Sequence, residues 1–264
     1  MPARFATPDW HAAVATLIAA SGGEETADAL IEAIGFVVRH DGTCLLAFHK
    51  DAPPEVLHHT LEPAGARHYL DRYLAGPYLL DPLYQLALHE EKPSICRFRE
   101  AAPDRFRASE YYRQYCERTH LKDEMDFLLD VEPDTTLVLV VGRRERRFTA
   151  AELKRIRAIE QIVQAAMRNI WRRWAERENR EAPNDSVHRR LTECFENFGD
   201  SLLTSRERET TQLLLRGFST KAIARELDIA PGTVMVHKRN LFSKLGISSQ
   251  YELFSRFIDA LSES

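Results

Sequence analysis

The segment between Thr233 and Gly246 carries side chains whose chemistry suits contact with nucleic acid. Helical spacing places Val234, Leu241 and Leu245 on one inward stripe. The outward face then carries Met235, His237, Lys238, Arg239 and Lys244. A guanidinium can donate two hydrogen bonds to a guanine edge, and a lysine can contact phosphate. The alternative for such a run of charges is the solvated face of a small helical bundle.

Signals for helix starts and ends divide the surrounding residues 203–253 into short helices that would position this face. The start signals are the capping box Thr204-x-x-Glu207, then Ser219, Pro231 and Ser249, and the end signals are Gly217 and Gly246. Only Asp228–Ala230 separate the second helix from the third. Two helices joined by so tight a turn indicate a helix-turn-helix, whose last helix can enter the DNA major groove.

This stretch closely resembles the LuxR-type helix-turn-helix family over about sixty residues. The shared features are Leu203-Thr204-x-Arg206-Glu207, Gly217-x-Ser219, Lys221-x-Ile223-Ala224, Thr233-Val234-x-x-His237 and Lys244-Leu245-Gly246. The resemblance implies an all-α domain of four helices that binds promoter DNA as a dimer, usually at an inverted repeat. Two positions depart from the family pattern: Thr220-Lys221-Ala222 replaces Asn-Lys-Glu, and Met235 replaces lysine.

The resemblance also implies a role for individual residues of the module. Met235, Val236 and Arg239 would face base edges, with Arg239 the candidate for a bidentate contact to guanine. The residues implied to contact phosphate, or to support such contacts, are Lys221, Thr233, His237, Lys238 and Asn240. Because methionine cannot donate to guanine, Arg239 would carry most of the base reading. The alternative for His237 is a contact that ties the helix to its core, and for Lys244 a favourable position at the helix end.

The residues before this module predict an α+β domain in which helices surround an antiparallel sheet of four or more strands. Helices are expected from Pro8, over 24–34, in two pieces over 62–91, over 105–119, and from the capping box at Thr149 to Arg180. Strands are expected over 36–40 and 43–48, as a hairpin around Asp41-Gly42, and over 126–131 and 136–142. Pro53-Pro54 is expected to end the first strand region. The order of elements resembles a GAF- or PAS-like sensor fold.

The polar stretch 174–186 predicts a boundary between two domains. We expect a sensor domain over residues 1–175, a linker with a short helix over 176–200, and the helix-turn-helix domain over 201–264. The long helix before the linker has an apolar stripe formed by Ile156, Ile159, Val163, Ala166, Ile170 and Trp174. This stripe either covers the sheet or also packs against a second copy of the chain.

The sensor domain resembles the autoinducer-binding domain of some LuxR-type proteins at Tyr69, Tyr73 and Asp81-Pro82, although the spacing is one residue short and a tyrosine replaces tryptophan. A buried aspartate among tyrosines could hold an amide or an ammonium group by a charge-assisted hydrogen bond. The expected ligand-binding set is Tyr69, Tyr73, Asp81, Tyr111 and Tyr115, with Phe127 as a further wall. The alternatives are core packing for the tyrosines and a helix start for Asp81-Pro82.

Composition and motifs exclude several other classes. The net charge is −4, but residues 201–264 hold nine Lys/Arg against seven Asp/Glu, so the module is mildly basic. No glycine-rich phosphate loop or nucleophile turn occurs, adjacent His58-His59 do not share a helix face, and we expect no enzyme, metal or cofactor. No apolar run reaches about 18 residues, so we expect a cytoplasmic protein without a membrane partner. The scattered cysteines predict reduced thiols.

These observations predict a homodimeric transcriptional regulator whose binding to double-stranded promoter DNA responds to a small organic effector. RNA polymerase is a further candidate partner. The alternatives are DNA binding that is constitutive or controlled by a protein partner, and a sigma-factor-like subunit, which an α+β first half disfavours.

Overall fold

A computed structural model describes Phe5 and residues 7–177 and 185–263, with the side chains of 63–68, 118, 177 and 185 left aside. Over these ranges the helices are α1 (Pro8–Ala19), α2 (Glu24–Val37), α3 (Pro63–Leu74), α4 (Pro82–Ala87), α5 (Phe98–Ala101), α6 (Ala150–Ala158), α7 (Glu160–Arg177), α8 (Asp185–Asn197), α9 (Ser205–Leu215), α10 (Thr220–Glu226), α11 (Pro231–Leu245) and α12 (Gln250–Glu263). Short 3₁₀ or π turns lie at Pro77–Leu80, Phe106–Ala108, Tyr112–Cys116 and Glu117–Thr119.

One antiparallel sheet forms the centre of the first domain. Its strands are β1 (Gly42–His49), β2 (Glu55–His59), β3 (Ile95–Arg97), β4 (Asp123–Glu132) and β5 (Thr135–Arg143), in the order β2-β1-β5-β4-β3. Successive side chains on β1 alternate between two apolar clusters, so both faces of the sheet are covered. The expected α+β class with an antiparallel sheet is therefore confirmed.

Helices α1, α2, α6 and α7 cover one face of the sheet. Five of the six stripe residues of α6, α7 and the junction between them are buried there, from Val163 at 0% to Ala166 at 6% exposure. Trp174 is half-buried and donates its indole N–H to Glu55 at 3.2 Å. The stripe thus covers the sheet within one chain, and a dimer would have to use other side chains.

The C-terminal helices form their own small core, which joins the apolar cluster on the other face of the sheet. Val234, Leu241 and Leu245 lie in it, as the spacing predicts. Phe254 and Phe257 of α12 close this core, whereas Tyr251 is exposed. The two parts meet at Gly76, where an added Cβ would lie within 3.3 Å of Leu191 and Leu261.

The hairpin predicted around Asp41-Gly42 is wrong. Phe36 and Val37 continue helix α2, and β1 pairs instead with β2 and β5. A short apolar run reads equally well as a strand or as the last turn of a buried helix, and here the buried contact of Val37 with the core decides it. Pro53-Pro54 does not end the strand region either, because β2 begins directly after it.

Two helix predictions also need correction. Residues 105–119 form separate 3₁₀ and π turns rather than one helix. The long helix from Thr149 is interrupted at Ile159, where α6 gives way to α7. Its predicted end at Arg180 lies outside the described residues. The strands β2 and β3 were not predicted.

Candidate DNA-binding surface and effector cavity

Helices α9, α10 and α11 are held by the caps that the sequence predicts. The Thr204 hydroxyl accepts a hydrogen bond from the backbone N–H of Glu207, and the Glu207 carboxylate accepts one from that of Thr204. The Ser219 hydroxyl caps α10 by accepting a hydrogen bond from the backbone N–H of Ala222. Lys244 donates to Glu207 at 2.6 Å, so it ties the end of α11 to the start of α9. Lys244 is therefore a structural residue of the module.

Helix α11 exposes the side chains that the sequence predicts to read bases. Met235 and Val236 are 64% and 44% exposed, although both are apolar. Arg239 is exposed beside them, as are Thr233 and, on α10, Lys221. His237, Lys238 and Asn240 are half-buried. Exposed apolar side chains next to an exposed guanidinium suit a DNA groove, where a thymine methyl and a guanine edge offer matching contacts.

A cavity of about 970 Å³ opens on the other face of the sheet. Its walls come from β1, β4 and β5, from α3, and from residues 98–119. All five predicted ligand-binding residues line it, namely Tyr69, Tyr73, Asp81, Tyr111 and Tyr115. Phe127 does not, because it lies in the apolar cluster on the opposite face. The tyrosines thus form both core and cavity wall.

Asp81 sits at the start of α4, within this cavity. Its carboxylate accepts hydrogen bonds from the Tyr73 hydroxyl and from the backbone N–H of Leu83, both at 2.8 Å. Burial raises the pKa of Asp81 to about 6, although these hydrogen bonds act in the opposite direction. Asp81 therefore caps helix α4, which is the alternative role that the sequence suggests for it, and it is also a polar group of the cavity wall.

Glu124, which the sequence patterns did not predict as a site residue, also lines this cavity. The predicted strand began at residue 126, whereas β4 begins at Asp123. Cys44 and Cys116 were noted only as free thiols, yet they also line the cavity. Extending the two-residue alternation of β4 by one step would have placed Glu124 on the same face as Leu128.

Residues 102–109, here called the cavity loop, join the cavity to the DNA-binding module. Residues 102–108 line the cavity. Asp104 of this loop accepts hydrogen bonds from the backbone N–H and the hydroxyl of Ser219, at 3.0 and 2.6 Å. An added Cβ at Gly217 would lie 3.0 Å from the Cα of Phe106, so the backbones approach closely there. The cavity loop is therefore in direct contact with the start of α10.

Two further contacts connect the domains. The Tyr78 hydroxyl lies 2.7 Å from Nδ1 of His188 on α8, and the two rings stack. The positive charge of Arg105 in the cavity loop repels that of Lys238 on α11. Partial burial, together with that repulsion, lowers the pKa of Lys238. The cavity loop thus lies next to a residue that the sequence assigns to phosphate contact.

The described part of the chain has no group of three His, Cys, Asp or Glu side chains placed to hold a metal ion. His58 instead lies 3.0 Å from Asp28. Within the described ranges, no helix is both long and apolar enough to span a membrane.

Comparisons with known proteins agree with the architecture. A family model described as bacterial regulatory proteins, luxR family, matches residues 201–257. A putative HTH-type transcriptional regulator from Aeromonas salmonicida is 31% identical over 58% of this chain and 80% of its own length. A monoamine regulon transcriptional regulator from Klebsiella aerogenes is 26% identical over 77% of each chain.

The fold of the first domain also has a solved counterpart. The crystal structure of the VqsR LBD domain from Pseudomonas aeruginosa superposes with a TM-score of 0.57 and 23% identity, covering 63% of this chain and 98% of that one. The relatives are transcriptional regulators, a class without enzymatic activity. The chain belongs to the LuxR family of bacterial regulatory proteins.

Proposed function

We propose that a small organic effector bound in the cavity controls how tightly this regulator binds promoter DNA. The observation that supports the proposal best is the cavity loop, which forms a wall of the cavity and also bonds to Ser219. An effector that moves this loop changes the position of α10 and α11 relative to the first domain. Because the loop itself contacts the DNA-binding module, the proposal requires no further chain of contacts between the two domains.

In the proposed complex with DNA, α11 enters the major groove with Met235, Val236 and Arg239 toward the bases. The proposed phosphate contacts come from Lys221, Thr233, His237, Lys238 and Asn240. The proposed effector contacts come from Tyr69, Tyr73, Asp81, Tyr111 and Tyr115. The domain boundaries in this proposal are those expected from the sequence: a sensor over 1–175, a linker over 176–200 and a DNA-binding domain over 201–264.

The proposed active species is a homodimer in the cytoplasm. The module carries a net charge of only +2, so one copy neutralises few phosphates. Two copies on an inverted repeat would double the contacts and fix the spacing of the half-sites. Because the α6–α7 stripe is buried within one chain, exposed side chains elsewhere must form the dimer contact. Contact with RNA polymerase belongs to the same proposal for an activator.

A screen followed by a titration tests the proposal. Metabolites that raise the melting temperature of the full chain are identified first, and a DNA site is selected from a random pool. The anisotropy of that labelled site is then titrated with protein, with and without the compound. Linkage predicts a change of about 5- to 150-fold in the DNA dissociation constant. A compound that binds the cavity but leaves this constant unchanged would contradict the proposal and favour constitutive or partner-controlled binding.

A further inference from the structure

Three carboxyl groups lie together at the inner end of the cavity. Asp81 and Glu124 line it, from α4 and β4 respectively. Asp126 follows Glu124 by two residues on β4, so it points to the same face of the sheet, and it is 0% exposed. The charge of Asp81 raises the pKa of Glu124 and of Asp126, and that of Glu124 also raises the pKa of Asp126, so the three groups lie close enough to interact.

No described Lys or Arg side chain forms an ion pair with any of these three carboxyls. Asp123, next to Glu124 in sequence, provides the contrast: it is paired with Arg97 and accepts the backbone N–H of Phe148 at 2.8 Å. Within the described residues, neither oxygen of Asp126 receives a hydrogen bond from an N–H or O–H group, although it can share a proton with Glu124. Burying acidic groups without a cation is unfavourable.

Among the described residues that line the cavity, the cationic side chains are exposed or half-buried. The exposed cationic side chains of the lining are Arg99, Arg105, Arg107, Lys122 and Arg144. Arg72 is half-buried, with its guanidinium 5.2 Å from the centre of the Tyr115 ring. The inner end therefore concentrates carboxyl groups that no described cationic side chain pairs with.

Aromatic rings surround the same inner end. Tyr69 and Tyr73 stack with their ring centres 6.2 Å apart, and Tyr111 and Tyr115 stack at 5.3 Å. The faces of such rings attract cations, and the rings also pack against the apolar carbon skeleton of a ligand. Carboxylates next to aromatic faces are thus a combination that favours an organic cation over an anion or a neutral compound.

We propose that the effector is an organic amine whose ammonium group lies between Asp81 and Glu124, with Asp126 behind them. This inference rests on the proposed function, because it assigns a chemical class to the effector of the same cavity. An ammonium can donate three hydrogen bonds, and both lining carboxylates have acceptor capacity left for them. The tyrosine pairs hold the carbon skeleton of the amine.

Binding of such an amine must release protons. Burial raises the pKa values of Asp81, Glu124 and Asp126, and repulsion from neighbouring carboxylates raises those of Glu124 and Asp126 further, so the empty cavity holds protons that a cation would displace. The other described titratable or charged groups around them are Cys44 on β1, Tyr69, Arg72 and Tyr73 on α3, Cys96 on β3, Tyr111 and Cys116 after α5, and Asp123 on β4. None of the cysteines or tyrosines carries a charge near neutral pH, because their pKa values are raised.

The test compares 2-phenylethylamine with 2-phenylethanol, which has the same skeleton with a neutral hydroxyl in place of the ammonium. Calorimetry on the full chain at about pH 7, in buffers with different ionisation enthalpies, measures affinity and proton release together. We expect the amine to bind about tenfold or more tightly than the alcohol, with protons released. We also expect its affinity to increase between about pH 6 and pH 8 as the carboxyls ionise.

Two variants separate the proposed site from general effects of charge. Glu124→Gln should reduce the preference for the amine by about tenfold and raise the melting temperature of the empty protein, because an uncompensated acid is removed. Glu62→Gln removes the same charge at the exposed rim and should leave both quantities unchanged. A lower melting temperature with an intact preference would show that Glu124 is only structural and would overturn the proposal.

The remaining outcomes distinguish the two proposals. If the alcohol or a neutral acyl lactone stabilises the protein as well as the amine does, or if the amine does not bind, the cationic class is wrong and the effector function still stands. If the amine binds with proton release but leaves the DNA dissociation constant unchanged, the cation site is supported and the proposed function fails.

Discussion

Asp104 accepts hydrogen bonds from both the backbone N–H and the hydroxyl of Ser219. Burial alone would raise the pKa of Asp104, but the bonds from Ser219 and the nearby Arg225 lower it overall. Ser219 also caps α10, two residues before Lys221. One carboxylate therefore links the wall of the cavity to the helix that precedes the DNA-reading helix.

Removing this carboxylate should weaken the hold of the first domain on the DNA-binding module. We expect Asp104→Ala to raise the DNA affinity of the effector-free chain by about two- to fivefold, which corresponds to about 0.5–1 kcal/mol for an exposed hydrogen-bonded contact. Its response to the effector should shrink by a similar factor. Anisotropy titrations with a selected DNA site measure both.

The matched control for that change is Glu91→Ala, which removes an exposed acid from a loop outside the cavity lining. A gain in affinity as large as that of Asp104→Ala would mean that net charge, not the contact, is responsible. A double-mutant cycle with Ser219→Ala adds a second check, because only a direct interaction gives a coupling energy between the two sites.

Alanine substitutions of Arg239 and Lys238 should impair different aspects of DNA binding. Arg239→Ala should cost about 1–3 kcal/mol and relax the sequence preference at one position, because a bidentate contact to guanine is lost. Lys238→Ala should weaken all sites equally and flatten the dependence on salt. Titrations of matched and mismatched sites at several salt concentrations distinguish them, with Arg256→Ala on α12 as an exposed control. Wild-type binding by Arg239→Ala would refute its assignment.

The contact between Tyr78 and His188 should contribute to the communication between domains. Tyr78→Phe removes the hydroxyl at 2.7 Å from His188 and should reduce the effect of the effector on DNA affinity by about two- to fivefold. Tyr84→Phe is the matched control, because its hydroxyl donates to the carbonyl of His49 within the first domain. It should lower the melting temperature and leave the effector response unchanged. Equal responses from both variants would contradict the assignment.

The contribution of Asp81 to the stability of the empty protein should fall as the pH rises from about 4 to about 6. The raised pKa of Asp81, about 6, means that the folded chain binds a proton more tightly than the unfolded chain. Stability is therefore greatest below the ordinary aspartate pKa and is lost as the pH passes through the folded value. Urea unfolding across this window should show that the free energy of unfolding changes less with pH in Asp81→Asn than in the wild type. Asparagine keeps a side chain that can cap α4. An unchanged slope would exclude Asp81 as the group responsible.

Much of the DNA-binding module was predictable because its signals are local. Thr204, Ser219, Pro231 and Gly246 each mark a helix end through interactions within four residues, and the structure has the caps there. The buried stripe of α11 follows from the helical period alone. The tyrosines and Asp81 were found through a resemblance, and all of them line one cavity.

What could not be predicted depends on contacts between distant residues. The segment Phe36–Val37 has no local feature that separates a strand from a helix end, and the burial of Val37 against the core decided the outcome. Glu124 was missed because the start of β4 depends on pairing with Arg143 and Gly142 of β5, which no local signal marks. The bond from Ser219 to Asp104 spans 115 residues, and no sequence pattern indicates it.

The most direct test is whether the effector and DNA affect each other's binding by the same factor. The DNA dissociation constant is measured with and without saturating effector, and the effector dissociation constant is measured with and without saturating DNA. Coupling through the cavity loop predicts equal factors, within about 5- to 150-fold for the wild type, and smaller but still equal factors for Asp104→Ala. An effector that binds equally well to the free protein and to the DNA complex would contradict control of DNA binding by the cavity.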